Sequence, residues 1–497
     1  MKKRIKFIKG VLALLLIAAF LLPVGVAIAE TPGDSAVIEL DAGYVLGDTY
    51  QRHSWYSDGR HWVFWSNDSK ILYTSSADLL TWETPTEFSD YSCTLDEGCC
   101  NGSAFSLFYD VSLDRVDIAY SNVSAANTAI YYKRGRPETD GTIAWGNLQT
   151  AVNATANLTY SHPSVCINTE DYPFIAYMTS NSSGTTSYTA GLATSTNKSG
   201  VWTHATNSTI DSSSTFNLSV NVYYPSVIPV SAGNVSLMVV FANGSDYLLA
   251  QNYAQYNISE DLWHYPTTIQ LPLPATSVLI PSEIWRHSEV AFASINNSDD
   301  VYVVCKGNDS IIGTGLFYDR YGDPATPFAD DDYLEEAQFI ATLSVRNALG
   351  NLVLTAVNTS DLANIYSADY TQASLSWNTI TSVRPTNAEG AYIMSSYDHS
   401  NSSYVDYLWL DNGVPFDLAL GCYGCTVPSP TPSTIPVAVT TMAWIVIMVF
   451  GALICILLLA YGTYETIKGR GREELIKIGV VGLITFIIAA IIVENLL

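Results

Sequence analysis

His53-Ser54-Trp55-Tyr56, Asp58-Gly59 and His61-Trp62-Val63-Phe64-Trp65 together spell a β-hairpin, two aromatic-rich runs joined across a turn-forming Asp-Gly pair. Trp82 follows at a short distance. The same phrase recurs along the chain. Ala104–Leu107 and Val116–Tyr120 flank a turn near Asp114, with Trp145 downstream. His162–Val165 and Phe174–Tyr177 flank Glu170-Asp171, with Trp202; Tyr224–Val227 and Leu237–Phe241 flank Gly233-Asn234, with Trp263. His287–Val290 and Val301–Cys305 flank Asp299-Asp300, without a Trp. Ile340–Leu343 and Leu352–Val357 flank Gly350-Asn351, with Trp377; Ala391–Met394 and Val405–Trp409 form the last unit.

The second runs end at 65, 120, 177, 241, 305, 357 and 409, a period of 52 to 64 residues. That is room for four short strands and their turns, and helix patterning is nearly absent before residue 436. One four-stranded sheet cannot bury both its faces, so sheets at this period stack around an axis, each covering its neighbour. The fold class expected is therefore all-β, a β-propeller. Seven units favour seven blades, and six with one irregular unit is the alternative. The last unit lacks a fourth strand after Leu418, and Ala36–Leu40 can supply it from the N-terminal side.

The ends read differently. Lys2, Lys3, Arg4, Lys6 and Lys9 precede an apolar run closing in Ala27-Ile28-Ala29, the build of a signal peptide over 1–29. Apolar runs at 437–461 and 478–495 are long enough for a pair of transmembrane helices, and Lys468, Arg470, Arg472 and Lys477 between them make 462–477 a cytoplasmic loop. Residues 30–420 are then the extracellular propeller, and 421–436, with Pro428, Pro430, Pro432 and Pro436, an extended stalk. The expected location is the cell membrane, with lipid as partner of the C-terminal hairpin.

The chain carries 22 Lys and Arg against 47 Asp and Glu, a net charge of −25. Such a surface repels phosphate backbones, so a nucleic-acid partner is excluded. Sixteen Asn-x-Ser/Thr sequons, from Asn67 to Asn401, all fall within the expected exterior. Of eight cysteines only Cys455 falls in a membrane span; Cys93 with Cys99 or Cys100, and Cys422 with Cys425, are the bridges an oxidising exterior allows.

Ser75-Ser76-Ala77-Asp78-Leu79-Leu80-Thr81-Trp82 and Ser195-Thr196-Asn197-Lys198-Ser199-Gly200-Val201-Trp202 resemble the Asp-box S-x-D-x-G-x-T-W of sialidase-like propellers. The hairpin from Tyr131 through Asp140-Gly141-Thr142 to Trp145 is a longer variant. The first stretch also resembles the S-x-D-L-x-x-W phrase of five-bladed glycosidases, although five blades would leave two units unplaced. Asp-boxes are structural turns, so this resemblance implies fold and not chemistry. Sialidase catalysis would need three arginines, a Tyr–Glu pair and an Asp. The family's [FY]-R-I-P motif is missing; Gln51-Arg52-His53-Ser54 matches only its Arg, and Arg346 falls at the wrong end of its hairpin.

A ring of polar groups does line up at the starts of the inner strands: Arg52-His53, Ser161-His162, Tyr223-Tyr224 and Arg286-His287, with Glu289 following. Gathered at a funnel mouth, Arg52, His53, His162, Tyr224, Arg286, His287 and Glu289 would bind a glycan, aromatics against sugar faces and Arg, His and Glu on hydroxyls. The same residues can also simply start strands. No catalytic residue is assigned. No cofactor is expected, Asp330-Asp331-Asp332 with Glu335-Glu336 being the one run with the oxygen ligands Ca²⁺ takes. The expected role is cell-surface recognition or adhesion, toward a glycan or a surface protein, with an exo-acting glycoside hydrolase or a passive coat component as alternatives.

Overall fold

A computed structural model describes, with short interruptions, residues 35–40, 47–88, 104–210, 222–270 and 290–423, together with Tyr461, Tyr464 and Lys468. The chain divides into two compact units, Met1–Thr426 and Val427–Leu497. The expected signal peptide lies outside the described residues, as do the membrane spans apart from Tyr461 and the stalk apart from Gly421, Cys422 and Tyr423, which complete a strand instead. Among the described residues, no helix is long and apolar enough to cross a membrane.

The first unit is nearly all β and β-propeller-like: among its described residues stand seven antiparallel sheets, built in chain order. Sheet one runs Ser54–Ser57, Arg60–Ser66, Ile71–Ser76 and Thr86–Glu87. The inner hairpins of the others are Phe105–Asp110 with Arg115–Ser124, Leu158–Ile167 with Pro173–Asn181, and Val222–Pro229 with Val235–Asn243. Val290–Ser294 with Val301–Asp309, Phe339–Arg346 with Asn351–Asn358, and Ala388–Ser395 with Val405–Asp411 complete the set. Each overlaps one recurrence of the sequence phrase, although the fifth first strand, Val290–Ser294, shares only Val290 with the expected run His287–Val290. The seventh sheet takes its fourth strand from the other end of the unit: Ser35–Leu40 lies antiparallel to Phe416–Tyr423, with Ile38 opposite Leu418.

Local chemistry sets the hairpins. Ser57 and Arg60 pair directly across Asp58-Gly59, whose φ values of 50° and 75° are those of a type I′ turn, the two-residue turn that matches strand twist. The second strands are buried on both faces, as Trp62, Val63, Phe64 and Trp65 show with 0–1% exposure, which is why they read as continuous apolar runs.

Where its surroundings are described, the recurrent Trp packs toward the preceding sheet. Trp145 lies edge-on to Phe64 at 6.4 Å and to Phe88 at 5.0 Å, both of sheet one. Trp202 meets Tyr132 of sheet two at 4.9 Å and donates its indole N–H to Gln149 Oε1 at 2.9 Å. Trp377 meets Tyr318 of sheet five at 5.6 Å, and Trp82 packs on the cluster of Met394, Leu408, Leu418 and Leu420 from sheet seven. With His61 Nδ1 bonded to Asp406 at 2.8 Å between sheets one and seven, the ring closes.

The first Asp-box-like turn is organised from Ser76 and Asp78, and the second from Ser195 and Asn197. Ser76 Oγ accepts from Leu79 N at 2.9 Å and Asp78 Oδ1 accepts from Thr81 N at 2.7 Å, while buried Leu79 sits at φ 63° where the box has its Gly. These turns interlock from sheet to sheet: Arg60 reaches Thr139 O in sheet two's outer turn, and Arg134 reaches Lys198 O in sheet three's.

Close packing inside a sheet depends on two glycines. Gly191 pairs directly with Tyr177, and Gly421 with Tyr407; a Cβ on either would enter the tyrosine ring. Gly191→Ala is therefore expected to destabilise by about 2 kcal/mol, the range of core overpacking. A urea midpoint equal to wild type would show that the ring swings clear.

Candidate functional site

Arg52 does not sit at an open rim. It is buried inside the ring and reaches across the axis. Its Nη1 donates to Thr342 Oγ1 at 3.2 Å and to Ser395 O and Oγ at 3.5 Å, and its Nη2 to Phe292 O at 3.4 Å. The guanidinium also lies 5.5 Å from the centre of the Tyr397 ring. Its carbonyl accepts from Leu107 N at 2.9 Å, and neighbouring Gln51 donates to Pro163 O at 3.0 Å. Two consecutive residues thus touch the inner strands of sheets two, three, five, six and seven. Among the described residues no carboxylate balances the charge; burial holds the guanidinium down at about 10, with Tyr397 opposing the shift.

His53 is fully buried and stacks on Phe105 at 3.9 Å, its Nε2 3.2 Å from Phe105 O. A carbonyl only accepts, so Nε2 carries the hydrogen; Nδ1 has no partner. Burial drives the imidazole down to about 3, although the Phe105 carbonyl bond works the other way. Both side chains are buried and bonded to the inner strands of the ring.

His162 and Tyr224 come together, their rings 5.5 Å apart and perpendicular. Each precedes a proline, at φ 51° and 49°, in a bulge that shifts the register between Ser161 and Ser164 and between Tyr223 and Ser226. The sequence equivalence of His-Pro-Ser and Tyr-Pro-Ser is thus a shared backbone device. Arg286, His287 and Glu289 lie outside the described residues. So do four of the cysteines expected to bridge (Cys93, Cys99, Cys100 and Cys425) and, apart from the strand Asp332–Glu335, the acidic run at 330–336. Cys422 is disulfide-bonded, and Cys166 is a buried free thiol. No group of three His, Cys, Asp or Glu is placed to hold a metal among the described residues.

A cavity of about 290 Å³ opens at the opposite end of the inner strands, among their hairpin turns. Phe108 and Tyr397, with rings 5.6 Å apart, form its inner wall. Asp110, Ser112, Thr169, Asp171 and Asn297 are among its polar lining, drawn from two successive turns of the repeat and from the one after Val290–Ser294. Both carboxylates already have partners. Asp110 Oδ1 accepts from Ser112 N at 2.9 Å and Ser112 Oγ at 2.7 Å, and its Oδ2 lies 3.4 Å from Arg115. Asp171 Oδ2 lies 3.0 Å from Lys198 Nζ. Sequence reading passed over these residues because Asp and Asn at turns are explained by turn chemistry alone. The signal available was their recurrence after every inner strand, which places them all near one axis.

No family model matches the chain, and no curated protein matches its sequence. Among solved structures, an ulvan lyase is 9% identical, with a TM-score of 0.49 over 79% of this chain and 96% of its own. An α-L-arabinanase from Penicillium chrysogenum, bound to arabinobiose, is 10% identical, with a TM-score of 0.40 over 79% and 98%. A Trypanosoma rangeli sialidase mutant displaying trans-sialidase activity is 10% identical, with a TM-score of 0.40 over 80% and 58%. At such identities none of their chemistry passes to this chain, and its function has to be read from its own residues.

Proposed function

We propose that this chain is a membrane-anchored, seven-bladed surface propeller that recognises a glycan at the turn end of its axis, without turning it over. The observation that carries the reading is the cavity: two aromatic rings at its wall and short polar side chains around them, the combination that lies against a sugar's C–H face while meeting its hydroxyls. Recognition is favoured over hydrolysis because a glycosidase needs two carboxylates free to exchange protons or attack. Here Asp110 is held on both oxygens, by its own turn and by Arg115, which leaves Asp171, bonded to Lys198 through Oδ2 alone, as a single carboxylate with an open oxygen. The surface location rests on the basic-apolar N-terminus, the C-terminal apolar pair and the sequons; a disulfide at Cys422 accords with an oxidising exterior.

A glycan array probed with the purified full-length chain tests this. Retention of a subset of glycans is expected, with loss on Ser112→Trp, which fills the cavity from an exposed position. Aryl glycosides should remain uncleaved. Retention that ignores Ser112→Trp moves the site elsewhere, and turnover makes the chain an enzyme.

A further inference from the structure

The cavity's lining is unbalanced in charge. Asp110 and Asp171 line it, and among the described residues no Lys, Arg or His does. The cations nearest these carboxylates are engaged, Arg115 with both Asp110 and Asp117, and Lys198 with Asp171. A chain of net charge −25 adds nothing to attract an anion. Asp171 is the residue with capacity to spare. Only its Oδ2 is bonded, to a half-exposed lysine; Oδ1 has no hydrogen-bond partner among the described residues. Its backbone stands at φ 71°, and its N–H is tied to Asn168 O at 3.0 Å, so the carboxylate is presented from a fixed turn. Asn168 is itself pinned: its Oδ1 accepts from Tyr172 N at 2.8 Å and its Nδ2 donates to Gly233 O at 2.6 Å. The volume, about 290 Å³, lies at the small end of ligand pockets and suits a terminal sugar over a long chain.

Resting on the glycan reading above, we infer that the cavity selects its terminal sugar by charge, taking an amine-bearing hexosamine ahead of a neutral hexose and refusing uronic and sialic acids, with Asp171 Oδ1 receiving the ammonium. A partly solvated carboxylate–ammonium contact supports only a modest preference. Calorimetric titration of the full-length protein at low salt with methyl glucosaminide, methyl glucoside and methyl glucuronide reads it directly. The amine should bind about fivefold tighter than the neutral glycoside, the ratio should fall toward one in high salt, and the glucuronide should give no heat. Asp171→Asn should bring the amine-to-neutral ratio to about one; Asn tolerates the same backbone, so the turn survives. Equal or tighter binding of the glucuronide, or an amine preference that outlasts Asp171→Asn, overturns the charge assignment while leaving glycan binding intact. Silence from all three sugars, with an array that is also blank, overturns both.

Discussion

Arg52→Ala is expected to cost about 4 kcal/mol, the largest effect of any substitution discussed. The change opens a cavity on the axis and removes the donor to Thr342 Oγ1, Ser395 and Phe292 O at once. Each bond is long, at 3.2 to 3.5 Å, so their number and the lost volume matter more than any one of them. Burial makes the charge itself a liability, with no carboxylate among the described residues to offset it. Arg52→Met keeps most of the volume and discards the charge, and should cost about half as much. Arg52→Lys loses the planar fork that serves several acceptors. Urea midpoints of the full-length variants rank the three; an Ala variant as stable as wild type would mean the inner strands do not need the guanidinium. It follows that lost function in Arg52→Ala reports a damaged ring, so ligand tests belong on Ser112 and Asp171.

The second large effect is acid sensitivity centred on His53. Its folded value of about 3 is depressed from the ordinary 6.5, chiefly by burial. Between those values the unfolded chain binds a proton that the folded chain refuses. Stability is therefore fully present above pH 6.5 and drains away as pH falls toward 3, by up to about 5 kcal/mol. Structurally, protonation would place a hydrogen on Nδ1, where no acceptor waits, and a charge against the Phe105 ring. Asp58, raised by burial and by the Asp114 carboxyl beside it, pulls in the opposite direction, from an exposed turn where solvent weakens it. Melting temperature followed from pH 7 to pH 4 should fall steadily, and His53→Phe, which preserves a stacked ring without a titrating nitrogen, should flatten that slope. A slope unchanged in the variant would assign the acid lability to other groups.

The seven hairpins were legible because each is a local matter. Asp58-Gly59 makes its turn from its own φ preferences, and Trp62 to Trp65 announce a doubly buried strand within four residues. The fourth strand of sheet seven was legible too, since an unpaired edge near Leu418 needs a partner and Ile38 lay on an unused apolar run. The site was harder. Arg52 and His53 stood where a rim was expected, yet both side chains are buried against the inner strands, a placement set by contacts far apart in the chain.

What the chain's order of residues determined by itself is the repeat: strand, turn and Trp spacing depend on preferences acting within a few residues, so they survive in one dimension. Tertiary structure alone decided which side chains share the axis. Arg52 meets Thr342 and Ser395 across 290 and 343 residues, and Asp110 meets Asp171 only because two separate turns point into one cavity. Such meetings depend on how many sheets close the ring and at what angle, a sum over every sheet-to-sheet contact that no single stretch of sequence contains.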